Sequence, residues 1–302
     1  SGKFHAPRLT GPMSTLDPTD WSSLRALGHQ MLDDMMDHLA SIRTQPVWQK
    51  MPEDVRQGFT APLPTTGTPP EAIYERFQAD IQPYVTGNLH PRFMGWVHGG
   101  GNPVSMLAEL LAGAMNANCG GRDHVGIAVE RQVIAWAAQM LGMPAGTSGV
   151  LLTGSSMANF CALLCARQKA LGEAGHETGV SFSKLVAYAS AGVHRCVTGA
   201  MDMAGLGRAA LRKIPLDAQM RMDMAALRAA IAADQAAGLT PFLIAATAGS
   251  VDTGAFDDLI EARRIADAHG LWFHVDGAFG ALAALSPAKR HLVEGLGAAD
   301  SI

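Results

Sequence analysis

What the 302-residue chain lacks narrows its chemistry before anything it contains. Its cysteines, Cys119, Cys161, Cys165 and Cys196, are too few for a disulfide framework at this length and read as buried thiols of a reducing compartment. Cys161 and Cys165 stand four apart in a helix-like run and would need further ligands to hold a metal. No His-Glu-x-x-His spacing occurs, so no metal is expected. No apolar run approaches the ~20 residues of a membrane span, and no signal-peptide pattern opens the chain. Ser1 and Gly2 read as a cloning remnant and are set aside. A cytoplasmic protein with no membrane partner is the expectation. Basic residues number 23 against 27 acidic ones, for a net charge of −4, and they gather in no run. That excludes the electrostatic footprint of a nucleic-acid binder. The "HGGG" at 98–101 imitates an esterase oxyanion loop, but the Gly-x-Ser-x-Gly turn such an enzyme needs is absent. The "GLGRAA" at 205–210 imitates a dinucleotide fingerprint, but it follows a helix rather than a strand and reads as helix termination.

What is present is a 48% hydrophobic chain, enough for a sizeable core. Residues 1–20 read as an extended arm. From 20 to 42 the apolar positions Leu24, Leu27, Met31, Met35 and Leu39 recur at helical spacing, with Asp20 as the N-cap. Such a helix must cover a surface, either of its own domain or of a second subunit. Prolines through 44–70 forbid long regular structure. Helices are expected near 71–82, 103–118 and 125–142. After that, strands at 149–153, 184–190, 212–216, 241–249 and 271–276 alternate with helices at 155–171, 193–204, 224–238 and 257–269. This alternation predicts an α/β domain with a mostly parallel sheet. In such sheets ligands bind beyond the carboxyl ends of the strands.

Four strand ends therefore matter. In "LLTGSSMAN" Gly154 turns the chain and Ser155-Ser156 open a helix, whose free N–H groups and hydroxyls suit a phosphate. Taken alone, the serines serve equally well as plain caps. His194 in "SAGVHRC" follows a strand and reads either as a surface or core histidine or as a functional one. "ATAGSVDTGAFD" is either a turn or a place where something approaches the backbone. "LWFHVDGAFGA" runs an apolar strand into Asp276, a carboxylate that is costly to bury without a cation or strong donor. The small Gly277, Ala278, Gly280 and Ala281 that follow are expected to make room for a flat object. A phosphate cradle, a stacking side chain and a carboxylate for a protonated pyridine nitrogen together point to pyridoxal 5′-phosphate.

At this point the chain resembles the group II pyridoxal-phosphate-dependent amino acid decarboxylases, which include aromatic amino acid, histidine and glutamate decarboxylases. The likeness runs over 88–302 and rests on "NLHPRF", "LLTGSSMANF", "HRCV", "ATAGSVDTGAFDDL", "HVDGAFG" and "ADSI" in that order. It implies a fold type I transferase-like large domain at 88–302, preceded by a dimer-forming helical arm at 1–87. It implies a homodimer, an L-amino acid substrate and decarboxylation to an amine and carbon dioxide. By the same resemblance Ser155 and Ser156 hold the phosphate, His194 stacks on the ring, Asp276 partners the ring nitrogen and Ala278 lies against the cofactor. His98 falls near the substrate-side loop, across a gap in the match.

The chain departs from the family's pattern in places. Ser250 and Val251 stand where many members have two threonines. Arg122 and Asp123 stand where aromatic-specific members carry an aromatic residue, which puts an aromatic substrate in question. The Schiff-base lysine is expected some thirty residues past Asp276 in a His-Lys pair, beyond Ile302. Lys289 is not assigned that role. Another enzyme of the same fold, an aldehyde synthase or aminotransferase, or a non-catalytic cofactor-binding member remain as alternatives.

Overall fold

Four short strands carry apolar side chains on both faces, the pattern of a sheet covered on two sides. In the computed structural model, which describes residues 17–118, 120, 123–180 and 184–302, they are β1 (Leu185–Ser190), β2 (Leu211–Ile214), β3 (Thr240–Thr247) and β4 (Trp272–Asp276). All pair in parallel in the order β2-β1-β3-β4. The helices in chain order are α1 (Trp21–Ser41), α2 (Glu53–Gly58), α3 (Pro70–Arg76), α4 (Pro103–Met115), α5 (Val125–Met140), α6 (Ser155–Leu171), α7 (Glu173–Thr178), α8 (Arg195–Met203), α9 (Met224–Ala236) and α10 (Leu259–His269). The chain divides into two compact units, Ser1–Asn116 and Ala117–Ile302. The extended arm expected at 1–20 falls largely, and Cys119 and Arg122 wholly, outside the described residues.

In the first unit Asp20 caps α1, its carboxylate accepting from the Ser22 N–H at 2.9 Å. The Tyr74 hydroxyl on α3 donates to Asp34 on α1 at 2.7 Å. α1 therefore packs within its own unit while leaving Trp21 and Leu24 exposed.

In the second unit strand alternation sorts the core into two layers. Val186, Tyr188, Ile244, Ala246, Phe273 and Val275 face one way, packed with Leu227 and Ile231 of α9 and with Leu259 and Ile265 of α10. Leu185, Ala187, Ala189, Leu243 and Ala245 face the other way, against Leu163 and Ala166 of α6 and Val197, Ala200 and Met201 of α8. The alanines let α6 and α8 lie close over the sheet. Asp300 and Ser301 run beside β4 on its open edge: Asp300 N–H donates to Phe273 O at 2.8 Å and Val275 N–H to Ser301 O at 3.0 Å. No helix among the described residues is long and apolar enough to cross a membrane.

One expected strand is absent. The segment 149–153 is irregular, and no described strand pairs with it. The Leu151 N–H donates to Glu130 Oε1 at 2.9 Å instead, and Val150 and Leu151 remain exposed. Apolar and β-branched content favours a strand only where a neighbouring strand completes the ladder.

Tyr188, buried in β1, donates its hydroxyl to Asp234 Oδ2 at 2.9 Å, and Arg212 of β2 grips the same carboxylate through Nε and Nη2. The Arg212 hydrogen bonds hold the Asp234 pKa below the ordinary 3.8. A depressed carboxylate stabilises the fold above its unfolded pKa and loses that contribution as pH falls through its folded pKa. Asp234→Ala should therefore cost about 1–3 kcal/mol at pH 7. The difference from the parent should shrink in urea titrations run progressively below pH 3.8.

Candidate functional site

The carboxyl ends of β1, β3 and β4 converge with the amino ends of α6 and α8, and the side chains there meet through one amide. Asn159, in the second turn of α6, is 5% exposed and turned toward the sheet. It lies on the helix face that also buries Ala162, Leu163 and Ala166, at spacings of three and four residues. Its Nδ2 donates to Asp276 Oδ2 at 3.2 Å and lies 3.5 Å from Cys196 Sγ. Its Oδ1 is 2.6 Å from His274 Nε2.

Asp276 is 8% exposed at the last position of β4. Besides Asn159, it accepts from the Ala278 N–H at 3.2 Å. Strand alternation sends Phe273 and Val275 into the core and Trp272, His274 and Asp276 to the α6 side. Ahead of Asn159, α6 begins after its N-cap Gly154, whose φ of +86° suits glycine and which provides no side-chain cap. Its first N–H groups and the exposed Ser155 and Ser156 are thus open to an anion. Exposed His194 caps α8, its Nδ1 accepting from Cys196 N–H at 3.3 Å. Burial first, and then the Asp276 charge, raise the Cys196 pKa, while its thiol also hydrogen-bonds Ser156.

Ser156 and His194 both contact Cys196, Cys196 lies beside Asn159, and Asn159 and the Ala278 N–H meet on Asp276; Ser155 opens the same helix as Ser156. His98 belongs to the first unit, where its Nε2 lies 3.2 Å from Asn88 O and its ring packs edge-on against Phe93. Lys289 is exposed in a turn. Ser250 is buried in a tight loop, its N–H donating to Ala255 O at 2.7 Å, whereas Val251 is exposed. Among the described residues no cluster of His, Cys, Asp or Glu could hold a metal.

The structure corrects the reading of the small residues after Asp276. A Cβ on Gly280 would fall 2.5 Å from Ala248 O and 2.6 Å from the Phe256 ring, and one on Gly277 would fall 2.6 Å from Ala281 Cβ. Ala281 is itself in the core. Gly277, Gly280 and Ala281 are small because protein fills the space; of the four small residues Ala278 alone is fully exposed.

Several functional candidates were missed in the sequence: Asn159, Cys196, Thr247 and His274. Thr247 pairs in register with Asp276, and its Oγ1 is buried with no hydrogen-bond partner among the described residues. His274 carried a signal, since it lies two residues before Asp276 and so on the same strand face. Asn159 carried another, four residues after Ser155 and so on the same helix face.

A family model described as the pyridoxal-dependent decarboxylase conserved domain matches residues 52–302. The chain is 30% identical over 287 residues to an aromatic-L-amino-acid decarboxylase of Bacillus atrophaeus, covering 92% of this chain and 57% of that protein. It is 35% identical over 303 residues to the Bos taurus aromatic-L-amino-acid decarboxylase, covering 93% and 60%. Among solved structures it superimposes on mouse CSAD in apo form with a TM-score of 0.85 at 28% identity, covering 92% of this chain and 60% of that one. Oryza sativa TDC with PLP and tryptamine gives 0.85 at 27%, covering 95% and 61%. The chain thus spans about three fifths of the length of the relatives it matches.

The close approach of the loops after β3 and β4 is directly testable. Gly280→Ala forces a methyl onto backbone and should cost about 1–3 kcal/mol. Ala278→Gly, at an exposed site in the same loop, should cost less than half as much; denaturant midpoints of the two variants make the comparison.

Proposed function

The chain belongs to the pyridoxal-dependent decarboxylase family, and on that premise we propose that it carries the cofactor-binding part of a carboxy-lyase that converts an L-amino acid to an amine and carbon dioxide. The observation that carries the proposal is Asp276, a carboxylate 8% exposed at a strand end and hydrogen-bonded to Asn159 of α6, a helix whose N-terminus has no side-chain cap.

The residues fit pyridoxal 5′-phosphate on chemical grounds. The α6 N-terminus offers unpaired N–H groups and two hydroxyls for a phosphate. Asp276 offers a partner for a protonated ring nitrogen, and Thr247 Oγ1, without a partner among the described residues, offers a donor or acceptor to a polar ligand atom. Bound there, the cofactor supplies an electron sink for the bond that breaks at the substrate α-carbon. In this assignment Ser155 and Ser156 bind the phosphate and Asp276 holds a proton at the ring nitrogen. His194 presents its imidazole to the ring and Ala278 is the small residue that lies against the cofactor. His98 is assigned to the substrate side. No lysine of this chain is assigned as the covalent anchor.

We further propose a homodimer in the cytoplasm, with 1–87 as the dimer-forming arm and 88–302 as the cofactor-binding domain. Large apolar side chains left exposed on α1 and α4, including Trp21, Leu24, Val104, Leu110 and Leu111, support an interface. The free thiols Cys161, Cys165 and Cys196 suit a reducing compartment.

A second reading has one observation behind it: the crystal structure of Rhodiola rosea 4-hydroxyphenylacetaldehyde synthase superimposes with a TM-score of 0.84 at 26% identity. Product analysis separates the two. The intact protein loaded with pyridoxal phosphate is expected to release carbon dioxide and an amine from one member of a panel of aromatic, acidic and short basic L-amino acids. Aldehyde with ammonia and peroxide would establish the synthase reading instead. Asp276→Ala should lose nearly all turnover, and retained turnover would refute the role given to Asp276.

A further inference from the structure

Behind Asp276 runs a line of side chains that the assignments above leave unused. Trp272 Nε1 donates to Ser301 Oγ at 2.8 Å. Ser301 Oγ lies 2.9 Å from His274 Nδ1. His274 Nε2 lies 2.6 Å from Asn159 Oδ1. Asn159 Nδ2 reaches Asp276 Oδ2 at 3.2 Å. We propose that Trp272, Ser301, His274 and Asn159 form a one-way hydrogen-bond relay that positions the Asp276 carboxylate against the ring nitrogen of the bound cofactor. The proposal rests on the role given to Asp276 above and names four further positioning residues for it.

The direction of the relay follows from its two ends. An indole N–H can only donate, and a carboxylate can only accept. Since Asp276 accepts, Asn159 turns its NH2 toward Asp276 and its carbonyl toward His274. His274 must then carry its hydrogen on Nε2, which leaves Nδ1 as an acceptor. The single Ser301 hydrogen points at Nδ1, and the Ser301 lone pair takes the Trp272 hydrogen.

The relay itself leaves a bare Nδ1 3.2 Å from Ser301 O, and each alternative leaves a worse pair of like groups facing. The opposite imidazole tautomer donates from Nδ1 to Ser301 O, 3.2 Å away, but sets a bare Nε2 against the Asn159 carbonyl. Flipping the amide to relieve that contact sets the carbonyl against the Asp276 carboxylate. A doubly protonated ring would suit both neighbours, but burial drives the His274 pKa down to about 4. Aligned donors shielded from water polarise one another, so the half-buried Trp272–Ser301 end acts through the buried His274 and Asn159 on Asp276 without touching it. The neutral ring is also the form that burial at 3% exposure favours.

The test compares binding of pyridoxal 5′-phosphate with that of 1-deazapyridoxal 5′-phosphate, which has carbon in place of the ring nitrogen, to the intact protein. The ratio of the two dissociation constants isolates the contact with Asp276. The parent should prefer the natural cofactor, and Asn159→Ala should shrink that preference about tenfold. Ser301→Ala, which touches neither Asp276 nor the ligand, should shrink it about two- to threefold, and Ser301→Thr should restore it. General damage would weaken both ligands alike and leave the ratio unmoved, so an unchanged ratio in Asn159→Ala and Ser301→Ala overturns the relay. If the parent itself fails to discriminate, the role of Asp276 falls, and the relay with it. A second measurement needs no ligand and no variant: 15N NMR of the imidazole should show neutral His274 with its hydrogen on Nε2. A hydrogen on Nδ1 overturns the relay while leaving the role of Asp276 standing.

Discussion

The site depends on one amide. Asn159 has a donating end and an accepting end, and the fold uses both: the NH2 meets the Asp276 carboxylate and the carbonyl meets His274. A carboxylate held at a strand end with little water around it must be met by donors, because losing hydration without compensation costs several kcal/mol. The described residues around Asp276 place two donors on it, the Asn159 amide and the Ala278 N–H, each on a different oxygen. The same amide ties α6 to β4, and the thiol of Cys196 beside it brings in α8. The phosphate-suited helix start, the histidine cap and the carboxylate are thereby held in one place.

The packing beneath the site sets its tolerances. Alanines on β1 and β3 let α6 and α8 approach the sheet closely, which brings Asn159 within reach of β4. On the other face larger side chains from α9 and α10 fill the space. The loops after β3 and β4 touch through Gly249, at a φ of +83°, and Gly280, so little free volume remains beneath Asp276. Asp257 adds a further brace: its carboxylate accepts from Met222 N–H at 2.6 Å and Thr247 N–H at 2.8 Å, holding the end of β3.

Edge pairing explains the short "ADSI" segment. Its Asp300 carboxylate accepts from the Phe273 N–H and from Arg263, while Ser301 joins β4 through both main chain and hydroxyl. Two hydrogen bonds to β4 place Ser301 beside His274, so a segment far along the chain from Asn159 comes to share a partner with it.

Much of this could be read directly from the residues. Strand and helix alternation, the Asp20 cap, the glycine turn before Ser155 and the position of Asp276 at a strand end all express short-range rules of spacing and backbone preference, and the structure contains them. Three things required the tertiary structure. The apolar run at 149–153 looks like a strand, but a strand exists only where a partner is present to bond it. Gly277 and Gly280 look like cleared space, but whether a missing Cβ is filled by protein or left open depends on what other segments place there. Spacing puts Asn159 on the face of Ser155 and His274 on the face of Asp276, but it does not show that the two bond each other, because a hydrogen bond between residues more than a hundred positions apart leaves no local pattern. The sequence by itself determined the elements and the chemistry available at their ends. Only the three-dimensional packing decided which of those groups meet, because burial and donor–acceptor pairing are properties of neighbours in space rather than along the chain.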